Sequence, residues 1–160
     1  MVENAKYEVA MKLGNVEIRR YPRLIVAKVE GKRDGGFDIL LRFISGENKK
    51  KAKVKMTAPV LSETSSLSFV MPEEYELETT PEPIDKRVKI IQVPERFVAA
   101  LRFSGRWSQS IFNSRSEELL KKLSEAKVET KGKVFAMLYN PPYTPWFMRR
   151  NEVAIEVELN

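Results

Sequence analysis

The sequence contains no cysteine and no histidine among its 160 residues. The absence of cysteine excludes disulfides, thiolate nucleophiles and zinc fingers, and the absence of histidine removes the commonest metal ligand and general base. A serine or threonine nucleophile therefore has no histidine partner, and no spacing singles out a serine–lysine or carboxylate alternative. We expect a protein that is not an enzyme and that has neither catalytic residues nor a protein metal site.

Long hydrophobic runs are also missing. No stretch approaches the roughly 18 continuous apolar residues of a membrane-spanning helix, and the first residues, MVENAKYEVA, lack the basic start and apolar run of a signal peptide. We therefore predict a cytoplasmic protein without a membrane span. With 42% hydrophobic residues and a net charge of +6, the chain fits a single globular domain over residues 1–160 that attracts anions.

An internal repeat organises this domain. Residues 16–31 read VEIRRYPRLIVAKVEG and residues 88–103 read VKIIQVPERFVAALRF, so that Pro22 corresponds to Pro94 at an offset of 72 residues. Each copy predicts a strand, a proline corner and a second strand, followed by a helix and two further strands. The sequence thus predicts an α+β fold with two related halves, roughly 14–78 and 86–160. We expect pseudo-twofold strand-strand-helix-strand-strand halves that form a distorted antiparallel β-barrel with two helices.

The patterns also place the individual elements. In the first half they predict a helix near 37–45 and strands near 54–60 and 67–71. In the second half they predict a helix near 108–126 and strands near 133–139 and 152–159. An additional strand at 7–13 is expected to pair with 16–21 through a turn at Gly14 and Asn15.

The two predicted helices differ in how much of their surface is apolar. In the second helix, the apolar residues fall in one narrow stripe, as expected for a helix packed on a sheet. In the first helix, a comparable stripe is accompanied by Ile39 and Phe43, which project to nearly the opposite side. We predict that the sheet covers the stripe, formed by Phe37, Leu40, Leu41 and Ile44. Ile39 and Phe43 would then be covered by the C-terminal loop, by a second subunit in a homodimer, or by an apolar ligand.

The C-terminal segment NPPYTPWFMRR combines prolines with large apolar side chains. Pro141, Pro142 and Pro145 fix the backbone and remove donors, so the segment is expected to be a stiff surface loop. Its apolar side chains either pack on the protein's own core or form a wall of a binding cleft. These side chains, which we call the aromatic tip, are Tyr143, Trp146, Phe147 and Met148.

A basic loop, GENKKKAKVK at residues 46–55, follows the first helix. Such a loop beside an apolar cleft favours an amphiphilic ligand with an apolar body and acidic groups. The same charge would suit nucleic acid, but the lysines lack interleaved aromatic residues and no nucleic-acid motif is present. We therefore expect no nucleic-acid partner.

Several motifs together resemble the SOUL/heme-binding protein family over nearly the full length of the chain. They are YEV and EIRRY near the N-terminus, SGENK after the first helix, MTAPV, SFVMP, FSGRW, and NPPYTP followed by RRNEV. The resemblance implies a duplicated α+β fold and the binding of heme or another tetrapyrrole. The ligand would lie in an apolar cleft between the first helix and the C-terminal loop.

Matching by motif assigns ligand contacts to both of these segments. The predicted apolar contacts are Phe37, Leu40, Leu41, Ile44, Tyr143, Trp146, Phe147 and Met148, joined by the uncovered Ile39 and Phe43. The candidates for pairing with carboxylates of the ligand are Arg42, Lys49 and Arg149.

The chain departs from the family pattern in two respects. It has no histidine to serve as an axial ligand, so iron would receive a weaker donor such as Met148, Tyr143 or a neutral lysine, or no protein ligand. The segment GKRDGGF at 31–37 is also short for the family, and that shortening would narrow the cleft or abolish binding.

Two alternatives remain open at the level of sequence. The duplicated architecture also resembles bacterial effector-binding domains, which take bulky apolar cations and need an inward acidic residue. The candidates here are Glu73, Glu74 and Glu152, which we expect to be exposed at strand ends. The second alternative is a protein-interaction domain that uses the same apolar surface.

Overall fold

The computed structural model describes residues 2–31, 35–141 and 143–159. Within them the chain forms eleven strands and two α-helices. The helices are α1 (Gly36–Ile44) and α2 (Gln109–Glu125), and a short 3₁₀ helix covers Trp146–Met148. The strands are β1 (Glu3–Asn4), β2 (Glu8–Leu13), β3 (Val16–Tyr21), β4 (Leu24–Glu30), β5 (Thr57–Ala58), β6 (Val60–Ser62), β7 (Ser66–Val70), β8 (Val88–Val93), β9 (Arg96–Phe103), β10 (Glu129–Leu138) and β11 (Asn151–Glu158).

Most of these elements confirm the sequence prediction. Both helices lie within two residues of their predicted bounds, and β2 and β3 pair through a two-residue turn with Leu13 opposite Val16. The predicted strand at 54–60 is shorter and is interrupted at Pro59, because proline has no N–H to donate to a ladder. The short strand β1, which pairs in parallel with β5, is not predicted by the sequence.

The chain divides into two compact units, each of which contains one helix. Unit 1 comprises Met1–Ala5 and Arg23–Pro94, and unit 2 comprises Lys6–Pro22 and Glu95–Asn160. In unit 1 the antiparallel strand order is β6-β7-β4-β8, with β1 and β5 as a separate pair. In unit 2 the order is β2-β3-β9-β11-β10. The chain passes between the units after Ala5, after Pro22 and after Pro94, and the two prolines are the pair that corresponds in the repeat.

Neither unit closes its strands into a barrel in the described residues. The first and last strands in the order of unit 1, β6 and β8, are not paired with each other, and neither are the first and last strands of unit 2, β2 and β10. The predicted distorted barrel is therefore wrong, although the α+β class with antiparallel sheet and two helices is confirmed. Period-two patterns show which strand faces are buried, but they carry no information on whether two edge strands meet.

The central ladders of the two units have matching registers. In unit 2, Ile18 of β3 lies opposite Ala99 of β9. In unit 1, the residues 72 positions away, Ile90 of β8 and Ala27 of β4, also lie opposite each other. This agreement is what a duplication would produce, and the duplication itself stays a prediction.

Helix α1 packs on the strands of unit 1 through a broad apolar face. Ile39, Leu40, Phe43 and Ile44 are each at most 6% exposed and join one core cluster with residues of β4, β7 and β8. At 100° per residue these four positions span an arc of about 140° that includes Ile39 and Phe43. The prediction that Ile39 and Phe43 are left uncovered by the sheet is therefore wrong. The sheet takes the centre of the apolar arc, and Phe37 and Leu41 lie at its edge, each 40% exposed.

Helix α2 covers one face of the unit 2 sheet. Its Leu119 and Leu123 are fully buried against Val16, Ile18 and other apolar residues of β3, β9 and β11. The hydroxyl of Ser108 caps the helix by accepting a hydrogen bond from the Ile111 N–H at 3.1 Å. The opposite face of this sheet is therefore free to hold polar groups.

Neither helix in the described part of the chain combines the length and hydropathy that a membrane span requires.

Candidate ligand-binding site

The face of the unit 2 sheet that turns away from α2 carries charged side chains. Because side chains alternate along a strand, Glu17 and Arg19 of β3 point away from the core residues Val16 and Ile18. The register continues this polar face across the sheet, with Ala100 opposite Glu17 and Arg102 opposite Glu152. Three adjacent strands thus bring charges of both signs together.

A buried ion pair joins the outer two of these strands. Arg19 donates from Nη1 to Oε1 of Glu152 at 2.7 Å and from Nη2 to Oε2 at 2.6 Å. Arg19 is 1% exposed and Glu152 is fully buried. Arg19 also donates from Nε to Glu17 at 3.0 Å and from Nη1 to the Tyr21 hydroxyl at 3.0 Å. This bidentate geometry is the strongest form of arginine–carboxylate contact, and it fixes the orientation of both side chains.

Arg150 and two tyrosines extend this pair. Arg150 Nη2 lies 3.1 Å from Oε2 of Glu152 and donates to the Tyr7 hydroxyl, also at 3.1 Å. Its guanidinium carbon lies 3.9 Å from the ring centroid of Tyr139, whose hydroxyl donates to Oε1 of Glu152 at 2.8 Å. Arg19 lies over the ring of Tyr7 at 4.2 Å. We call the set Tyr7, Arg19, Tyr139, Arg150 and Glu152 the charged cluster.

The charged cluster holds its members in fixed protonation states. Burial alone would raise the pKa of Glu152, but the hydrogen bonds and charge of Arg19, followed by the charge of Arg150 and the hydrogen bond from Tyr139, bring that pKa below its ordinary value. Burial raises the pKa of Tyr139, so its phenol stays protonated and acts as a donor. The cluster therefore contains two guanidiniums and one buried carboxylate, a net positive charge.

A groove of about 670 Å³ opens beside the charged cluster, and its volume lies within the range of small-molecule sites. Ala100 belongs to its lining, and its short side chain leaves space between the charged residues of the neighbouring strands. Five basic residues and one acid line the groove in the described part of the chain. Its lining residues are Tyr7, Lys12, Gly14, Asn15, Glu17, Arg19, Ala100, Arg102, Phe103, Ser104, Phe147, Met148, Arg149 and Arg150.

The described residues of the C-terminal segment (140–141 and 143–152) are held beside this groove by hydrogen bonds that each involve a main-chain group. The Gly105 N–H donates to the Trp146 carbonyl at 3.0 Å, and the side-chain amide of Asn151 donates from Nδ2 to the Gly105 carbonyl at 3.0 Å. Gly105 has φ 113°, a conformation that side chains with Cβ rarely adopt. The Arg150 N–H donates to Oδ1 of Asn140 at 2.6 Å, which closes the base of the segment. The aromatic tip is therefore supported by the turn after β9.

The structure leaves the aromatic tip exposed, with fractions of 87% for Tyr143, 51% for Trp146, 62% for Phe147 and 65% for Met148. Trp146 and Phe147 contact each other edge to face at 5.5 Å. Phe147, Met148 and Arg149 line the groove, so the structure brings three predicted site residues together. Arg149 donates from Nε to the Thr144 carbonyl at 2.9 Å. Pro142 lies outside the described residues.

The other predicted site residues belong to unit 1. Phe37 and Leu41 are partly exposed, whereas Ile39, Leu40, Phe43 and Ile44 are core residues. The two predicted cations already have partners, because Arg42 lies 3.4 Å from Glu47 and Lys49 lies 3.1 Å from Glu82. The predicted short segment at 31–37 includes residues 32–34, which lie outside the described residues.

Sequence reasoning misses most of the groove. Tyr7, Lys12, Arg19, Arg102 and Arg150 are not among the predicted ligand contacts, and Glu152 is expected to be exposed. That expectation is wrong, because Glu152 is fully buried between two arginines. A signal is present: EIRRY and RRNEV, the motifs of the family resemblance, place opposite charges in apolar strands. Such charges are rarely buried unless they are paired.

Solved structures place this architecture in a class of small α+β domains. The chain is similar to the EcmrR C-terminal domain, with TM-score 0.64, 10% identity and coverage of 96% of this chain and 99% of that one. It is similar to a protein described as a hydrolase from Listeria innocua, with TM-score 0.59, 12% identity and coverage of 90% and 92%. SAV2435, solved bound to tetraphenylphosphonium, gives TM-score 0.50 and 11% identity, with coverage of 96% and 94%. At these identities the likeness shows the fold alone.

The family follows from the sequence itself. The model of the SOUL heme-binding protein family matches residues 2–156, nearly the whole chain, and the protein belongs to this family. At the level of the family, this membership indicates tetrapyrrole binding. No curated protein matches the chain.

Proposed function

We propose that this protein binds heme or another tetrapyrrole in the groove of unit 2, without histidine ligation and without catalysing a reaction. One observation carries the proposal. The exposed apolar side chains of Phe147 and Met148 line the same groove as Lys12, Arg102 and Arg149. A tetrapyrrole has a large apolar ring and carboxylate side chains, so it requires this combination of surfaces.

The residues of the groove are better suited to contact a tetrapyrrole ring and its carboxylates than to coordinate iron. Arg149 and Arg102 would pair with carboxylates, and Phe147 and Met148 would contact the ring. Because the sequence has no histidine or cysteine, an iron donor that borders the groove would be the thioether of Met148, the phenol of Tyr7 or the neutral amine of Lys12. Heme iron can supply redox and ligand-binding chemistry, but the contacts to the ring and its carboxylates do not depend on it. We therefore propose that metal-free porphyrin binds about as well as heme.

The apolar contacts supply part of the binding free energy. Burial of roughly 300 Å² of apolar ligand surface at about 25 cal/mol per Å² would contribute roughly 7 kcal/mol, before the entropy cost of association. Ion pairs between the ligand's carboxylates and the arginines of the groove must therefore offset the entropy cost for dissociation constants to reach the micromolar range.

Titration with hemin and with protoporphyrin IX tests the proposal. We expect saturable changes of the Soret band and quenching of tryptophan fluorescence for both ligands, with similar dissociation constants. The variant Phe147→Ala removes an apolar wall of the groove and should weaken both ligands. Leu120→Ala is the matched control, because Leu120 is an exposed apolar residue of α2 outside the groove lining. Absence of saturation at tens of micromolar, or equal effects of the two variants, would contradict the proposal.

A further inference from the structure

The groove of unit 2 has a strong charge imbalance. Lys12, Arg102 and Arg149 line it together with the two arginines of the charged cluster, and Glu17 is the one acid among the described residues of its lining. A charge that enters such a groove is partly removed from water, so the sign of the ligand has a larger effect there than on an open surface.

The buried carboxylate behind the groove offsets only part of this imbalance. Both oxygens of Glu152 accept hydrogen bonds from Arg19, at 2.7 and 2.6 Å, and Oε2 also accepts from Arg150. Tyr139 donates to the remaining position on Oε1. A cationic ligand would therefore meet a carboxylate that is already neutralised by two guanidiniums.

Two cations at the groove lack such a partner. In the part of the chain that the structure describes, no ion pair joins Lys12 of β2 or Arg102 of β9 to a carboxylate. Both side chains are exposed on their strands, so they can approach a ligand without breaking an existing ion pair.

We infer that the groove selects its ligand by the sign of charge. It binds apolar molecules that carry a carboxylate or another anionic group more tightly than apolar cations of the same size. The inference takes the location of the site from the proposed function and adds the ligand's charge to it. It also distinguishes this chain from SAV2435, whose tetraphenylphosphonium is a bulky apolar cation.

A pair of isosteric ions tests the inference. Tetraphenylborate and tetraphenylphosphonium carry the same four phenyl rings and opposite charges, so their difference in affinity measures selection by charge. Calorimetric titration of the full chain at fixed ionic strength should show that tetraphenylborate binds at least about tenfold more tightly. Added salt should weaken the binding of tetraphenylborate, because the attraction is electrostatic.

Variants that reverse one charge show whether the groove itself selects the ligand by its charge. Arg102→Glu and Lys12→Glu should each weaken tetraphenylborate several-fold and should strengthen tetraphenylphosphonium. Lys121→Glu makes the same change in net charge on the exposed surface of α2 and should leave both affinities unchanged. Equal effects of Arg102→Glu and Lys121→Glu would show that only the net charge acts, and would overturn the inference.

The outcomes separate the inference from the proposed function. Tighter or equal binding of tetraphenylphosphonium, or binding of neither ion, overturns the inference. If tetraphenylborate is preferred but neither porphyrin binds, selection by charge stands and the tetrapyrrole proposal fails. If both porphyrins bind and tetraphenylphosphonium displaces them as well as tetraphenylborate does, the tetrapyrrole proposal stands and selection by charge is refuted.

Discussion

Helix α1 and the C-terminal segment are both short and rich in large apolar residues, but they meet solvent in different ways. α1 buries Ile39, Leu40, Phe43 and Ile44 in the core of unit 1. In the C-terminal segment, each side chain of the aromatic tip is more than half exposed. The residues that follow the tip include Glu152, whose buried carboxylate pairs with Arg19 and Arg150. A helix turns its apolar residues to one sheet, whereas a segment bounded by prolines has no repeating face to bury. Apolar content therefore contributes stability in one region and an accessible surface in the other.

The largest expected loss of stability comes from a substitution in the buried face of α1. Phe43→Ala removes a ring that is 1% exposed and should lower the free energy of unfolding by about 3–5 kcal/mol. Leu41→Ala, on the same helix but 40% exposed, should cost less than about 1 kcal/mol. Urea denaturation measures both. Similar costs for the two variants would show that the assigned packing face of α1 is incorrect.

Removal of the buried carboxylate should have the next largest effect. Glu152→Gln leaves Arg19 and Arg150 without their shared counter-charge and should cost about 3 kcal/mol of stability. Glu156→Gln is the control on the same strand, since Glu156 is partly exposed and its ion pair with Arg96 spans 3.4 Å. We expect the control to cost at most about 1 kcal/mol, because solvent screens that pair. A loss for Glu152→Gln no greater than that of the control would refute the role of the charged cluster.

Lowering the pH should reduce the stability of the unmodified protein more than that of Glu152→Gln, with a smaller effect than the substitution itself. Because the native pKa of Glu152 lies below its ordinary value of 4.5, the ionised carboxylate stabilises the fold above that pH. This stabilisation is lost as the pH falls through the native pKa. Denaturation between about pH 3 and pH 7 should show a steeper loss of stability in the unmodified protein than in Glu152→Gln. Parallel pH profiles would contradict the assignment.

The smallest expected effect on stability belongs to the aromatic tip. Phe147→Ser replaces a side chain that is 62% exposed, so the free energy of unfolding should change by less than about 0.5 kcal/mol. Thermal or urea denaturation checks this value, and the same variant should weaken porphyrin binding. A cost of several kcal/mol would show that Phe147 belongs to the core and does not form a wall of the groove.

The sequence predicts the fold better than it predicts the site, and the reason is physical. Periodicity identifies α1, α2 and the β2–β3 hairpin because burial repeats along each element. The same periodicity cannot decide which part of a wide apolar arc meets the sheet, so it places Ile39 and Phe43 on the wrong side of α1. The aromatic tip could be predicted because its prolines act locally.

The groove could not be predicted in the same way, because its parts are distant in the sequence. Arg19 and Glu152 are separated by 133 residues, and only the register of three strands brings them together. Charged residues in apolar strands indicate that a partner exists, but they do not identify it. The motif EIRRY contains Arg19 and the motif RRNEV contains Glu152. That these two residues form an ion pair can be inferred only once the strand order is known.

The passage of the chain between units at Pro22 and Pro94 has a consequence for synthesis on the ribosome. Strand β3 is made early, but its partner β9 follows about 80 residues later, which at roughly 5–20 residues per second is a delay of several seconds. Strand β4 likewise waits for β8. The nascent first half thus emerges with strands whose backbone N–H and C=O groups are unpaired. Such strands can pair with other chains and aggregate, and chaperones limit that aggregation. Slower translation of the middle of the message would lengthen that exposure and lower the yield of native protein.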